Sequence, residues 1–210
     1  MLLLMAAPFL IWAQPALPPT VYETSGGRQT PTYAQIMDWW NAADRASKKI
    51  SVMQKGPTDA GFPLHLALIS DQGYTTVGQA QKDGKLIILI NNGIHPGEPD
   101  GIDASMLLAK EIVSGKISLP ASVVLAIIPV YNIGGCLRRS AYYRVDQEGP
   151  DEFGSRGNSQ NLDLNRDFIK LDSKEAFSFC AIYQECDPAI FVDNHVSNGA
   201  DYQHVMTLLT

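Results

Sequence analysis

Three aliphatic runs constrain this chain more than any other feature. Residues 85–91 (KLIILIN), 123–131 (VVLAIIPVY) and 189–192 (AIFV) are short and continuous in apolar character. That is the pattern of strands buried on both faces rather than of a half-solvated sheet. Between and around them lie segments of helical period. Residues 32–47 (TYAQIMDWWNAADRAS) predict an amphipathic helix that packs Tyr33, Ile36, Trp39 and Trp40 on the core. Residues 103–113 predict a helix with Asp103 near its start and Gly115 as its stop, and residues 173–185 predict a third. Residues 63–70 (PLHLALIS) alternate like a strand. Strands alternating with helices predict an α/β fold: a mixed, largely parallel sheet with helices on both faces. With 210 residues and 45% hydrophobic content, the chain can bury one real core.

The charge balance narrows the partners. A net charge of −6 and the absence of any basic tract argue against nucleic acid, because phosphate binding needs a basic face. Residues 1–13 are uncharged and almost wholly apolar. They are too short to span a bilayer and match the hydrophobic part of a secretory signal, although no Lys or Arg precedes Arg28. Residues 1–20 are therefore expected to be a signal peptide and linker, leaving 21–210 as the folded part of a secreted or periplasmic protein with no stable membrane span. Cys180 and Cys186 fall six apart on one predicted helix, the wrong geometry for a mutual bridge. All three cysteines are read as structural.

The chemistry collects where strands end. One aliphatic run leads into Asn91-Asn92-Gly93-Ile94-His95-Pro96-Gly97-Glu98, and another into Asp193-Asn194-His195. In open α/β sheets, ligands bind beyond the carboxyl ends of the strands. Two such strands can therefore bring residues a hundred positions apart into one crevice. His95, Glu98 and His195 would make two imidazoles and a carboxylate, a catalytic zinc set with one position left open. The segment 132–161 is too long for a plain connection and is expected to be functional or folded on itself. After it, Asn165 and Arg166 pair an amide with a fork-shaped guanidinium, which suits two-point binding of a carboxylate.

Three ordered blocks carry a family resemblance: His95-Pro96-Gly97-Glu98; Asp163-Leu164-Asn165-Arg166 followed by Asp167 and Phe168; and Asp193-Asn194-His195 with Gly199 and Tyr202 beyond. In these blocks the chain resembles the zinc carboxypeptidase family, the group that includes carboxypeptidase A, over about residues 30 to 210. The resemblance implies a carboxypeptidase-like fold and a Zn2+ cofactor held by His95, Glu98 and His195. It implies that Asp163 orients the first zinc histidine through its other nitrogen, and that Asn165 and Arg166 grip the free C-terminal carboxylate of a peptide substrate. It further implies an arginine that polarises the scissile carbonyl; Arg144 is the chosen residue, with Arg138, Arg139 and Arg156 competing. The family's general base is a glutamate well downstream of the third zinc ligand, and no glutamate follows His195 here. The expectation is the N-terminal part of a catalytic domain, with its C-terminal part missing and little activity alone. Two other functions stay open: an N-acyl amino acid deacylase of the aspartoacylase or succinylglutamate desuccinylase kind, or a non-catalytic metal- or peptide-binding module. The deacylases place their first block near the start, whereas here roughly eighty residues after the signal segment precede it, which favours the peptidase.

Overall fold

The computed structural model describes residues 16–197, so residues 1–13, Gly199 and Tyr202 lie outside it. After a single turn, α1 (Val21–Thr24), the chain forms α2 (Tyr33–Ala46). Thr32 caps it reciprocally. Its hydroxyl accepts the Gln35 N–H at 3.3 Å, while Gln35 Oε1 accepts the Thr32 N–H at 2.8 Å. The expected apolar face is buried, with Ile36 and Trp40 fully inside, and Trp39 Nε1 donates to Pro18 O at 2.9 Å.

Next come β1 (Ile50–Pro57) and β2 (Pro63–Ile69), paired antiparallel, then α3 (Val77–Lys82), β3 (Leu86–Asn91), α4 (Asp100–Val113) and β4 (Val123–Ile128). The remainder is α5 (Ile133–Leu137), a small ribbon of β5 (Arg139–Ser140) and β6 (Phe153–Gly154), a 3-10 turn at Leu164–Arg166, α6 (Lys174–Cys186) and β7 (Ile190–Asp193). The main sheet runs β1-β2-β4-β3-β7. It is mixed: β1 and β2 are antiparallel to their neighbours, while β4, β3 and β7 run parallel and form the half that carries the site. Helices flank the sheet, as the alternating pattern predicts.

The core is aliphatic where β2, β3 and β4 meet the helices: Leu64, Leu66, Leu68, Leu89, Val124 and Ile127 have no exposure at all. Each such side chain contributes about 1.5–3 kcal/mol relative to staying in water. Two expectations need correction. The run 189–192 is not a buried strand, because Ile190, Phe191 and Val192 are 54%, 36% and 36% exposed on a strand whose one neighbour among the described residues is β3. The helix expected from Asp103 begins at Asp100, immediately after Glu98-Pro99, so Asp103 sits inside its first turn. The segment 132–161 does fold on itself, through α5 and the β5–β6 ribbon. The three cysteines are free. Among the described residues, no helix is long and apolar enough to cross a membrane.

Register explains why the two histidines meet. In the parallel ladder Asn91 of β3 lies opposite Asp193 of β7, so both strands end at the same height and turn off the same edge. Asparagines lock the two ends. Asn91 Nδ2 donates to Asp193 Oδ1 at 3.0 Å, Asn194 Nδ2 donates to Asn92 Oδ1 at 2.8 Å, and Asn92 Nδ2 donates to Ser105 Oγ at 2.9 Å. The helix α4 closes on this lock through Gly101, where a Cβ would stand 2.5 Å from Asn194 Cβ and 2.6 Å from Asn92 Oδ1. Only a residue without a side chain lets the helix approach the strand end this closely.

Candidate metal centre

Beyond β3 the chain reverses at Gly93, whose φ of +65° lies in the left-handed region. Ile94 then dives into the core, and Pro96-Gly97 forms a bend closed by the Glu98 N–H donating to His95 O at 2.8 Å. This bend turns both side chains inward: His95 is 2% and Glu98 4% exposed. His195, arriving from β7, completes the cluster, and ligand atoms of His95, Glu98 and His195 all lie within 4.8 Å of one another.

The polarity of the cluster is specific. Each imidazole points Nδ1 at the Glu98 carboxylate, His95 at 3.3 Å and His195 at 2.9 Å. Each Nε2 faces a second carboxylate, Asp163 Oδ1 at 2.9 Å for His95 and Asp193 Oδ2 at 3.0 Å for His195. Outer carboxylates of this kind fix the ring's orientation and tautomer and raise its basicity as a ligand. Glu98 also accepts from Arg144 Nη1 at 2.8 Å and from the Val196 N–H at 3.2 Å.

The ionisation follows from these contacts. Burial alone would raise the Glu98 carboxyl, but donation from His195, His95 and the Val196 N–H outweighs it and holds the group far below the usual carboxylate range. The Asp163 carboxyl is likewise lowered, its burial outweighed by hydrogen bonds from His95 and Arg156. His195, between Asp193 and Glu98, is raised to about 9, with Asp193 the larger cause. The cluster thus gathers positive charge around one buried carboxylate. Two inward nitrogens and an ionised carboxylate, with the outer nitrogens already held, form a donor set that fits a zinc ion.

Asp163 also accepts the Asn165 N–H at 3.0 Å, so the turn that presents Asn165 and Arg166 is built on the residue that holds His95. Arg166 is exposed, with one nitrogen donating to Asn165 O at 2.9 Å. The competing arginines divide into two groups. Arg138 is spent on Asn161 Oδ1 and the carbonyls of Gly157 and Asn158, and Arg139 on those of Thr30, Pro31 and Glu152. Arg144 and Arg156 remain at the site, Arg144 on Glu98 and Arg156 through Nε on Asp163 Oδ2 at 2.9 Å.

Asp193 is a contact that the sequence reading missed: it appeared there only as part of a block. The asparagine lock was also missed, although the Asn91-Asn92 pair directly after five aliphatic residues was a visible signal. Asp163→Asn is expected to weaken zinc binding about 10–100-fold, as measured by competition with a chelator, because the replacement removes the charge facing His95 Nε2. Unchanged affinity would show that Asp163 does not orient the ring.

Comparison with known proteins finds a matching family and similar folds. The family model described as "Zinc carboxypeptidase" matches residues 36–202. Similar solved structures include a metallo-carboxypeptidase from Burkholderia cenocepacia, 18% identical with a TM-score of 0.61, covering 81% of this chain and 42% of that one. Another is carboxypeptidase A from Helicoverpa armigera, 16% identical with a TM-score of 0.60, covering 79% and 45% respectively. A third is bovine thrombin-activatable fibrinolysis inhibitor in complex with tick carboxypeptidase inhibitor, 15% identical with a TM-score of 0.60, covering 81% and 62%. The chain therefore spans less than half the length of the first two and less than two thirds of the third. Comparison with curated proteins finds no match.

Proposed function

This chain belongs to the zinc carboxypeptidase family, and from that premise we propose that it is the N-terminal part of a metallocarboxypeptidase that removes the last residue of peptides. The observation that carries the reading is the convergence of the His95 and His195 Nδ1 atoms on Glu98, with Asp163 and Asp193 behind the two rings. His95, Glu98 and His195 would hold the zinc ion. When bound, zinc supplies Lewis-acid polarisation of a carbonyl and acidification of a water.

The chain's own residues do the rest. Asn165 and Arg166 offer an amide and a planar guanidinium to the substrate's terminal carboxylate. An arginine is needed to stabilise the oxyanion as the carbonyl becomes tetrahedral. Arg144 has that role in this reading, since its guanidinium already lies within the cluster. Arg156 is a second candidate on a specific observation: its side chain is 47% exposed and, among the described residues, it is anchored through Nε alone, with no protein acceptor on its outer nitrogens. Proton transfer from water to the leaving amine requires a general base. No glutamate occurs after His195 in these residues, and we assign that role to the portion of the domain beyond them. These 210 residues alone are then expected to bind zinc and peptide but to turn over poorly. Export to a periplasm or to the outside belongs to the same reading and rests on the apolar residues 1–13.

The test has two parts. Arg166→Ala is expected to weaken binding of a peptide with a free carboxylate about 10–100-fold, and binding of its carboxamide hardly at all, as expected for loss of a charge-assisted hydrogen bond. The protein extended past Thr210 is expected to release the last residue of N-blocked peptides and to leave N-acetylaspartate intact. The opposite preference would overturn the peptidase reading in favour of a deacylase.

A further inference from the structure

A cavity of about 620 Å³ opens beside the metal centre, within the size range of small-ligand pockets. It shares Arg144 and Val196 with the centre, and both of these donate to Glu98. Neither Asn165 nor Arg166, the pair proposed for the terminal carboxylate, lines it.

The chemistry of its wall is lopsided. Asp100 and Asp103 enter from the first turn of α4, and Asp146 and Glu148 from the loop between β5 and β6. Among the described residues Arg144 is the only cationic one in the lining, and its charge is already engaged by Glu98. One of the four carboxyls is a buried orphan: Asp103 is 7% exposed, and its Oδ1 has no hydrogen-bond partner among the described residues. Thr30, also in the wall and 5% exposed, faces Asp103 and holds its carboxyl down, but its hydroxyl falls short of hydrogen-bond geometry. Leaving the Asp103 oxygen unpaired is costly, so a cation from outside would be stabilising beside it. Burial raises the Asp103 carboxyl to about 6, with Asp100 adding to the shift and Thr30 and Arg139 opposing it. An entering cation would relieve that strain. Between the carboxyls the wall is apolar, with Pro99, Ala104 and Leu107 along it. This alternation suits a long aliphatic stem ending in a positive charge, and the cavity is too roomy for a bare ion.

We infer that this pocket receives a lysine or arginine side chain of the bound peptide, from a residue on the amino-terminal side of the bond to be cleaved. The direction follows from the layout. The terminal carboxylate is placed at Asn165 and Arg166, the scissile carbonyl at the metal cluster, and the rest of the peptide continues past Arg144 and Val196 into the acidic cavity. The inference rests on the peptidase reading above and adds a preference for basic residues upstream of the cleavage point.

Calorimetry with the zinc-loaded protein tests it. The probes are acetyl-Lys-Ala-Phe and acetyl-Ala-Lys-Phe, each against its norleucine counterpart, all as free acids and as carboxamides. At one of the two positions lysine is expected to bind at least about tenfold tighter than norleucine, the size of one charge-assisted contact. Asp103→Asn is expected to narrow that preference to below about threefold by the same loss of contact. The exposed pair Asp146→Asn with Glu148→Gln is expected to narrow it too, and guards against misfolding of the buried variant. Equal affinity for lysine and norleucine peptides at both positions would overturn the proposal, as would a preference that survives both sets of substitutions. Failure of the peptidase reading is read separately, as the absence of any difference between free acid and carboxamide.

Discussion

Replacing Glu98 with alanine is expected to abolish stoichiometric zinc binding and to destabilise the metal-free protein by about 3 kcal/mol or more. Both effects have one cause. Glu98 is almost fully buried and is the common acceptor for His95, His195, Arg144 and the Val196 N–H. Its removal takes the only anionic donor from the metal set and leaves a guanidinium, 12% exposed, facing two imidazoles with nothing between them. Breaking a buried charge cluster by deleting one member costs more than the pair is worth, because the partners stay desolvated. Glu98→Gln separates the contributions. It keeps the shape and one acceptor oxygen, so it is expected to retain more stability than alanine while still losing most of the zinc affinity. Metal analysis after dialysis and thermal denaturation with and without zinc read the two effects. Stoichiometric zinc at unchanged affinity in Glu98→Ala would sink the ligand assignment.

The parts of the fold legible in the sequence are those whose signal is local. The helix α2 announces itself by its period, and β3 and β4 by uninterrupted aliphatics. The strand β1 was not legible: ISVMQKGP carries Gln, Lys and Gly in what is an edge strand, where one side meets water and the alternation dissolves. The strand β7 looked like a core strand by composition, yet its burial depends on neighbours that composition cannot report. The site divides in the same way. His95, Glu98 and His195 were legible because each follows a strand end, and strand ends share a crevice. The roles of Asp163 and Arg144 came only from the family resemblance. Asp193 behind His195 and the Asn91, Asn92 and Asn194 lock depend on the register of β3 against β7, a long-range pairing that no local pattern encodes.

That same register sets the second large effect, the pH dependence of zinc binding. In the metal-free protein His195 sits between Asp193 and Glu98, and the two carboxylates raise its pKa from 6.5 to about 9. A zinc ligand must be the neutral imidazole, so the ion competes with a proton that an ordinary histidine would already have lost at pH 7. The zinc association constant is therefore expected to rise about tenfold per pH unit between about pH 7 and 8.5, and to level off near the raised pKa. Stability runs the other way. A group whose pKa is higher folded than unfolded adds stability that is fully present below its unfolded value and is lost as pH rises through the folded one. Metal-free protein is accordingly expected to lose melting temperature between pH 6.5 and about 9, while zinc-loaded protein, whose His195 carries no proton at that nitrogen, does not. Asp193→Asn removes the larger cause of the shift, so its zinc affinity is expected to climb less steeply over the same range. Titrations against a competing chelator at several pH values, with proton release followed in weakly buffered solution, measure both slopes. A zinc affinity flat from about pH 7 to 8.5 would mean that His195 holds no proton to give up, and that its two carboxylates do not act on it as their distances imply.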